Sequence, residues 1–227
     1  MFPLHGKGRR FDPVTMYHIM KTVNPFKTHM LFPTVVATVD NPKIPKQDHE
    51  TVLNSEFVVN SKYGNFPTSK NKNILDTVPT LKAWIQSQLD KYATEVMGAN
   101  KLRFTQSWAI KHEDIPQHIF AHSHANSIIS GSYYIDATTD SEALTFIRPN
   151  KVGVGPMIEY EKNFQSKPWL YDEMKFGAYT GRLILFPSNI PHGVMGYEVK
   201  NQRRCVLAFN TWFEGPIGNE DGLTLLD

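Results

Sequence analysis

Cysteine is almost missing: the 227 residues hold one, Cys205. A single thiol cannot close an internal disulfide, so a disulfide-stapled extracellular framework is excluded. It stands in the apolar run Cys205-Val206-Leu207-Ala208-Phe209, where a buried, inert thiol is expected. An excess of either charge is missing too. Lys+Arg total 24 against 22 for Asp+Glu, which removes the electrostatic argument for nucleic acid or an anionic membrane as partner. No apolar run approaches the roughly 20 residues that cross a bilayer. Residues 1–12 are rich in glycine and bases and lack the apolar stretch of a secretory signal. A soluble, cytoplasmic protein is the expectation. Repeats and low-complexity tracts are absent as well. What the chain does have is apolar substance: 41% hydrophobic residues, 12% of the chain aromatic, enough for the core of one domain.

The pattern changes along the chain. Residues 1–26 read as a weakly patterned lead-in. Met30 to Val39, rich in β-branched residues, reads as a strand. Gln47 to Val59 is a candidate helix, and 60–78, polar and rich in Gly, Pro and Asn, a loop. Thr80 to Met97 carries Leu81, Trp84, Ile85, Leu89, Tyr92, Ala93 and Val96 at helical spacing. Thr80 is its expected N-cap and Gly98 its C-terminal glycine. Beyond Gly98 the segments 102–111, 121–123, 127–136, 143–147, 181–186 and 204–213 read as strands, interrupted by a long insert at 149–179. Helices followed by many short strands predict a mainly β fold, a jelly roll or β-sandwich buttressed by N-terminal helices. A single domain over 1–227 is expected, with the helical buttress mostly at 40–98 and the jelly-roll core at about 99–213.

His122-Ser123-His124 is the most informative short motif. Residues two apart on an extended strand point the same way, so both imidazoles can aim at one point. Imidazole is the commonest metal ligand at neutral pH. The strand and turn from Gly181 to Pro191 end at His192, which can close a three-ligand site from a distant strand. Any one of these histidines alone reads more readily as a core or surface residue without a metal, and the His-x-His pair only brings the two readings level. The others (His5, His18, His29, His49, His112 and His118) read as structural or surface, His118 lying close to the pair.

Arg204 adds a second function. On an extended strand Arg204, Val206, Ala208 and Asn210 share one face, and Arg203, Cys205, Leu207 and Phe209 the other. The second face is bulky and apolar, as packing requires. The first has small or polar members that leave room for a ligand, and a guanidinium fork there suits a carboxylate. A solvent-facing arginine is the plain alternative. Of Tyr133-Tyr134 on the strand after the histidine pair, one must face inward, to offer its hydroxyl to the same carboxylate or simply to pack.

Together these residues resemble the 2-oxoglutarate/Fe(II)-dependent oxygenase superfamily, and in particular a branch of oxygenases found in marine bacteria and phages. Five stretches carry the resemblance, in family order between about residues 30 and 213: Met30-Leu31-Phe32-Pro33-Thr34, Gln106-Ser107-Trp108-Ala109, His122 to Ser127 leading into Ser130-Gly131-Ser132-Tyr133-Tyr134, Gly181 to His192, and Arg204 to Asn210. The resemblance implies a double-stranded β-helix, the cupin-like jelly roll. It implies Fe(II) held by His122, His124 and His192, with Arg204 taking the distal carboxylate of 2-oxoglutarate and Tyr134 and Asn210 assisting. O2 is the third reactant. The reaction implied is oxidative decarboxylation to succinate coupled to hydroxylation of a C–H bond. The chain departs from the superfamily at one point. Most members use two histidines and a carboxylate, and His124 stands in the carboxylate's place. A second register, with Asn126 completing the site, stays open.

Two other classes compete with the oxygenase. One is a non-catalytic jelly-roll module for metal binding or assembly. The other is a cupin-type zinc or nickel enzyme, since three histidines with an open position also suit Zn; it leaves Arg204 without a role. The expected substrate is a small molecule or a peptidyl side chain, selected by the 60–78 and 149–179 segments. Gly153, Val154, Gly155, Pro156, Trp169, Tyr171 and Phe176 lie in the latter. Oligomeric state, a homodimer included, is not legible in this sequence.

Overall fold

Alternation along the strands decides which face each residue serves, and here both faces are covered. The computed structural model describes residues 33–41, 43, 45–60, 66–99, 101–113, 119–138, 144–149, 171–194, 203–218 and 220–225. Chain contacts separate two units, Met1–Pro33 and Thr34–Asp227, and the elements described belong to the second. In chain order they are β1 (Ala37–Asp40), α1 (Lys46–Leu53), β2 (Phe57–Asn60), β3 (Phe66–Ser69), α2 (Pro79–Lys91), β4 (Leu102–Glu113), β5 (Ile119–His122), β6 (Ile129–Ala137), β7 (Leu144–Ile147), β8 (Glu173–Phe176), β9 (Arg182–Pro187), β10 (His192–Val194) and β11 (Arg203–Phe213). A seven-stranded sheet runs β1-β9-β6-β11-β4-β3-β2, and a four-stranded sheet runs β5-β10-β7-β8. Every strand pairing between these elements is antiparallel. This is the jelly roll.

The larger sheet has two apolar faces, which is why the middles of β9 and β11 read as nearly continuous apolar runs. Tyr133, Leu183, Leu185, Cys205, Leu207 and Phe209 pack with Leu81, Ile85 and Leu89 of α2. Their strand neighbours Tyr134, Ile184, Phe186 and Val206 pack instead with Leu144 and Phe146 of β7 in the smaller sheet. The functional cavity opens in this second layer.

The helical segment differs in detail from the sequence expectation. The helix expected over Gln47–Val59 ends at Leu53, and Phe57–Asn60 is strand β2. Phe57-Val58-Val59 is too short a β-branched run to declare itself beside a helix, and pairing with β3 decides it. The loop expected at 60–78 contains β3 and a 3-10 turn, Ile74–Thr77. The strand expected from Met30 begins at Ala37; residues 30–32 lie outside the described residues. The main helix runs as predicted to Gly98, its last turn widening to a π turn over Tyr92–Met97. Gly98 adopts φ 65, a left-handed conformation that favours glycine at this position. Its N-cap is Val78, not Thr80, with Pro79 at the first helical position. The missing cap comes from α1: the buried Asp48 accepts from the Leu81 backbone N–H at 2.8 Å. In the 149–179 insert, β8 occupies Glu173–Phe176, while Gly153, Val154, Gly155, Pro156 and Trp169 lie outside the described residues. Among the described residues no helix is long and apolar enough to cross a membrane.

Candidate metal and carboxylate site

The smaller sheet brings two of the three histidines together directly. His122 ends β5, His192 opens β10, and the two are cross-strand partners. The strands approach closely because Gly193 follows His192: a Cβ there would lie 2.4 Å from the Ile119 carbonyl oxygen. His124 lies two residues past the end of β5, and its backbone N–H is bound to the Ser188 carbonyl at 2.9 Å. One ring nitrogen from each of the three falls within 4.8 Å of the others. Ring centroids are 5.2 Å apart for His122–His124, 4.6 Å for His122–His192 and 5.0 Å for His124–His192. Burial deepens from exposed His122 through His124 to buried His192.

Each ring is held from behind. His122 Nδ1 donates to the Phe120 carbonyl oxygen at 2.9 Å, and His192 Nδ1 donates to that of Ile190 at 2.8 Å. Both acceptors lie two residues back along the chain, so local backbone geometry orients both rings. His124 Nδ1 donates to Asn210 Oδ1 at 2.6 Å. Ser130 Oγ lies 3.0 Å from the same nitrogen and donates to Asn210 Oδ1 at 2.8 Å. A carbonyl oxygen only accepts, so in each ring Nδ1 carries the hydrogen and Nε2 keeps its lone pair. Oriented imidazoles with oxygen acceptors behind them are the usual outer arrangement of a metal site. Burial keeps two of them neutral. It holds His192 down to about 4 and lowers His124, where the Asn210 hydrogen bond opposes the shift.

The larger sheet supplies the opposite wall. Arg204 of β11 and Tyr134 of β6 line the same cavity as the three histidines, as does Ser132. The cavity occupies about 530 Å³, including the part open to solvent. Trp108, Ile110, Leu144, Phe186, Val206 and Ala208 form its apolar surface, and no carboxylate lines it among the described residues. Arg204 is 2% exposed and donates from Nη2 to His112 Nε2 at 3.0 Å. Arg203, by contrast, points outward and pairs with Asp136. Burial raises the Tyr134 hydroxyl pKa, against the opposing pull of the Arg204 charge. Tyr133 faces the helices, its hydroxyl 3.0 Å from His49 Nε2.

Two residues sit elsewhere than the sequence suggested. Asn210 is on the Arg204 face of β11, but it backs His124 and does not line the cavity. Asn126 occupies an exposed turn at φ 55 and does not line the cavity either. Strand alternation cannot reveal this because Asn126 lies beyond the end of β5, where the chain has turned. The role of His112 was missed outright; its only signal is its register position opposite Arg204.

Comparison with known proteins agrees with this architecture. Residues 106–210 match the family described as "Putative 2OG-Fe(II) oxygenase". A search of curated proteins returns no match. Among solved structures, HygX from Streptomyces hygroscopicus, with nickel and 2-oxoglutarate bound, superposes with a TM-score of 0.53 at 8% identity, covering 78% of this chain and 82% of that one. A complex of a prolyl hydroxylase with a hypoxia inducible factor oxygen degradation domain peptide fragment, from Trichoplax adhaerens, gives 0.53 at 13% identity over 77% and 82%. An oxidoreductase of the 2OG-Fe(II) oxygenase family from Burkholderia pseudomallei gives 0.52 at 11% identity over 77% and 84%. At such identities the likeness establishes the fold. The family match falls on the stretch that holds the three histidines, Arg204 and Tyr134.

Proposed function

We propose that the protein is a 2-oxoglutarate- and Fe(II)-dependent dioxygenase of the hydroxylase type, in which His122, His124 and His192 hold the metal through Nε2 and Arg204 holds the distal carboxylate of the keto acid. One observation carries the reading: a cavity with three Nε2-presenting imidazoles on one wall has a buried guanidinium on the other and, among the described residues, no carboxylate between. The donor set fits a divalent transition metal. The buried guanidinium fits a dicarboxylate whose other end reaches that metal. When bound, the iron and keto acid supply O2 activation, with decarboxylation to succinate coupled to oxidation of a substrate C–H bond.

The chain's own residues orient and exclude. The Phe120, Ile190 and Asn210 oxygens fix the three rings before a ligand arrives. Arg204 selects the end of the cosubstrate that carries charge, and Tyr134 offers a hydroxyl beside it. Trp108, Phe186 and Val206 give the cavity an apolar lining. Three imidazoles leave the metal one positive charge richer than two imidazoles and a carboxylate would. A dianionic cosubstrate offsets that charge, so metal and 2-oxoglutarate should strengthen each other's binding. The same charge favours this reading over an assembly module, which gives Arg204 nothing to do. The test is release of labelled CO2 from 1-labelled 2-oxoglutarate by the Fe(II)-loaded protein in air. Release that stops in His192→Ala supports the reading, and a rate equal to free Fe(II) at the same concentration refutes it.

A further inference from the structure

We propose that His112 is a positioning residue for the carboxylate-binding arginine: its neutral Nε2 accepts from Arg204 and fixes the guanidinium without cancelling its charge. The inference rests on the reading of Arg204 given above. It begins with register. Arg204 faces His112 across the β11–β4 pair, Val206 faces Ile110 and Ala208 faces Trp108. Because the ladder is regular here, these six side chains form one continuous wall. Four of them are apolar or small, and the ion-binding pair stands at its end.

The pair is closed off from water: Arg204 and His112 are each 2% exposed. Arg204 Nη2 lies 3.0 Å from His112 Nε2. A guanidinium has only hydrogens to offer, so Nε2 must carry a lone pair and the imidazole hydrogen sits on Nδ1. A protonated imidazole would set two cations face to face at that distance. The ring cannot easily swing away, because Phe66 of β3 packs on it with centroids 5.0 Å apart and planes 31° apart. A guanidinium left to itself samples many rotamers. One tied at Nη2 keeps its remaining donors pointed one way.

The choice of a neutral acceptor is the functional point. Aspartate or glutamate at this position would orient the arginine equally well. It would also neutralise it, and an incoming carboxylate would have to compete with a resident one. Imidazole satisfies one donor and brings no negative charge of its own to the arginine.

The test uses the full-length protein loaded anaerobically with Fe(II). The 2-oxoglutarate dissociation constant is measured for wild type, His112→Gln and His112→Glu. Glutamine keeps a neutral acceptor, so its affinity should stay within about threefold of wild type; glutamate should weaken binding by about tenfold or more, the scale of a lost hydrogen bond to a charged group. Pyruvate, a keto acid lacking the distal carboxylate, should bind all three alike, and iron stoichiometry should not change. Glutamate binding as tightly as wild type overturns the proposal, as does glutamine falling as far as glutamate. Wild-type protein that binds no 2-oxoglutarate would defeat the functional reading instead. The 15N spectrum of His112 at neutral pH then decides the present claim: a bare Nε2 upholds it, and a protonated Nε2 overturns it.

Discussion

Arg204→Met removes the guanidinium while keeping most of the apolar stem, and its cost can be worked from the structure. Arg204 is 2% exposed and lines the cavity, so its hydrogen bonds to a ligand carboxylate form away from water. A hydrogen bond to a charged group is worth about 1.5–3 kcal/mol, and a guanidinium fork makes two. Part of that is offset by desolvation of the ligand, so about 3 kcal/mol is a reasonable net loss. At 1.4 kcal/mol per tenfold, 2-oxoglutarate should bind roughly 100-fold more weakly. Arg203→Met is the internal control. Its side chain is 65% exposed and pairs with Asp136 at the surface. Such pairs contribute about 0–1 kcal/mol, to stability and not to this ligand. Its affinity should stay within about threefold of wild type on the same scale. Arg204→Lys, which keeps the charge but loses the fork, should fall between. Anaerobic calorimetry of the Fe(II)-loaded proteins measures all three. Equal losses in the Arg203 and Arg204 variants, or none in either, would refute the assignment of the β11 faces and of the carboxylate to Arg204.

Asn210→Ala removes the oxygen behind His124 and should weaken metal binding about 10–100-fold in a chelator competition; Asn210→Asp, which keeps an acceptor, should not. Gly193→Ala would place a Cβ 2.4 Å from the Ile119 carbonyl oxygen. Forcing β5 from β10 should abolish stoichiometric metal binding while the helix-side core stays folded by circular dichroism. Stability should also depend on pH through His112, whose pKa burial and the Arg204 charge push down to about 2. A depressed histidine pKa means that the unfolded chain binds the extra proton. The contribution is therefore complete above about pH 6.5 and is lost as pH falls, by up to about 1.4 kcal/mol per pH unit. Urea unfolding between pH 7 and pH 4 should show a slope shallower by one proton in His112→Gln, and identical slopes would contradict the buried neutral assignment.

The layer plan was readable because strand alternation leaves a plain trace. Cys205, Leu207 and Phe209 face the helices while Arg204, Val206 and Ala208 face the cavity, as period-2 spacing requires. The convergence of His122, His124 and His192 was readable from the His-x-His spacing and the distant third histidine, although His124 itself lies past the end of β5. What stayed hidden depends on pairing between segments far apart in sequence. Phe57–Asn60 becomes a strand only because β3 lies beside it. Asn210 leaves the cavity because His124 takes up its oxygen. His112 reads as one more structural histidine until the β4–β11 register sets it against Arg204. No local pattern encodes those contacts.

The central claim is that three imidazoles and one buried arginine hold a metal and a keto acid in a single cavity. Its most direct test is an anaerobic titration of the purified protein with Fe(II) and then 2-oxoglutarate, followed in the visible region. The account predicts one iron per chain and a weak charge-transfer band that grows with 2-oxoglutarate and is lost in Arg204→Met. Iron bound without the band, or no iron bound at all, would contradict it.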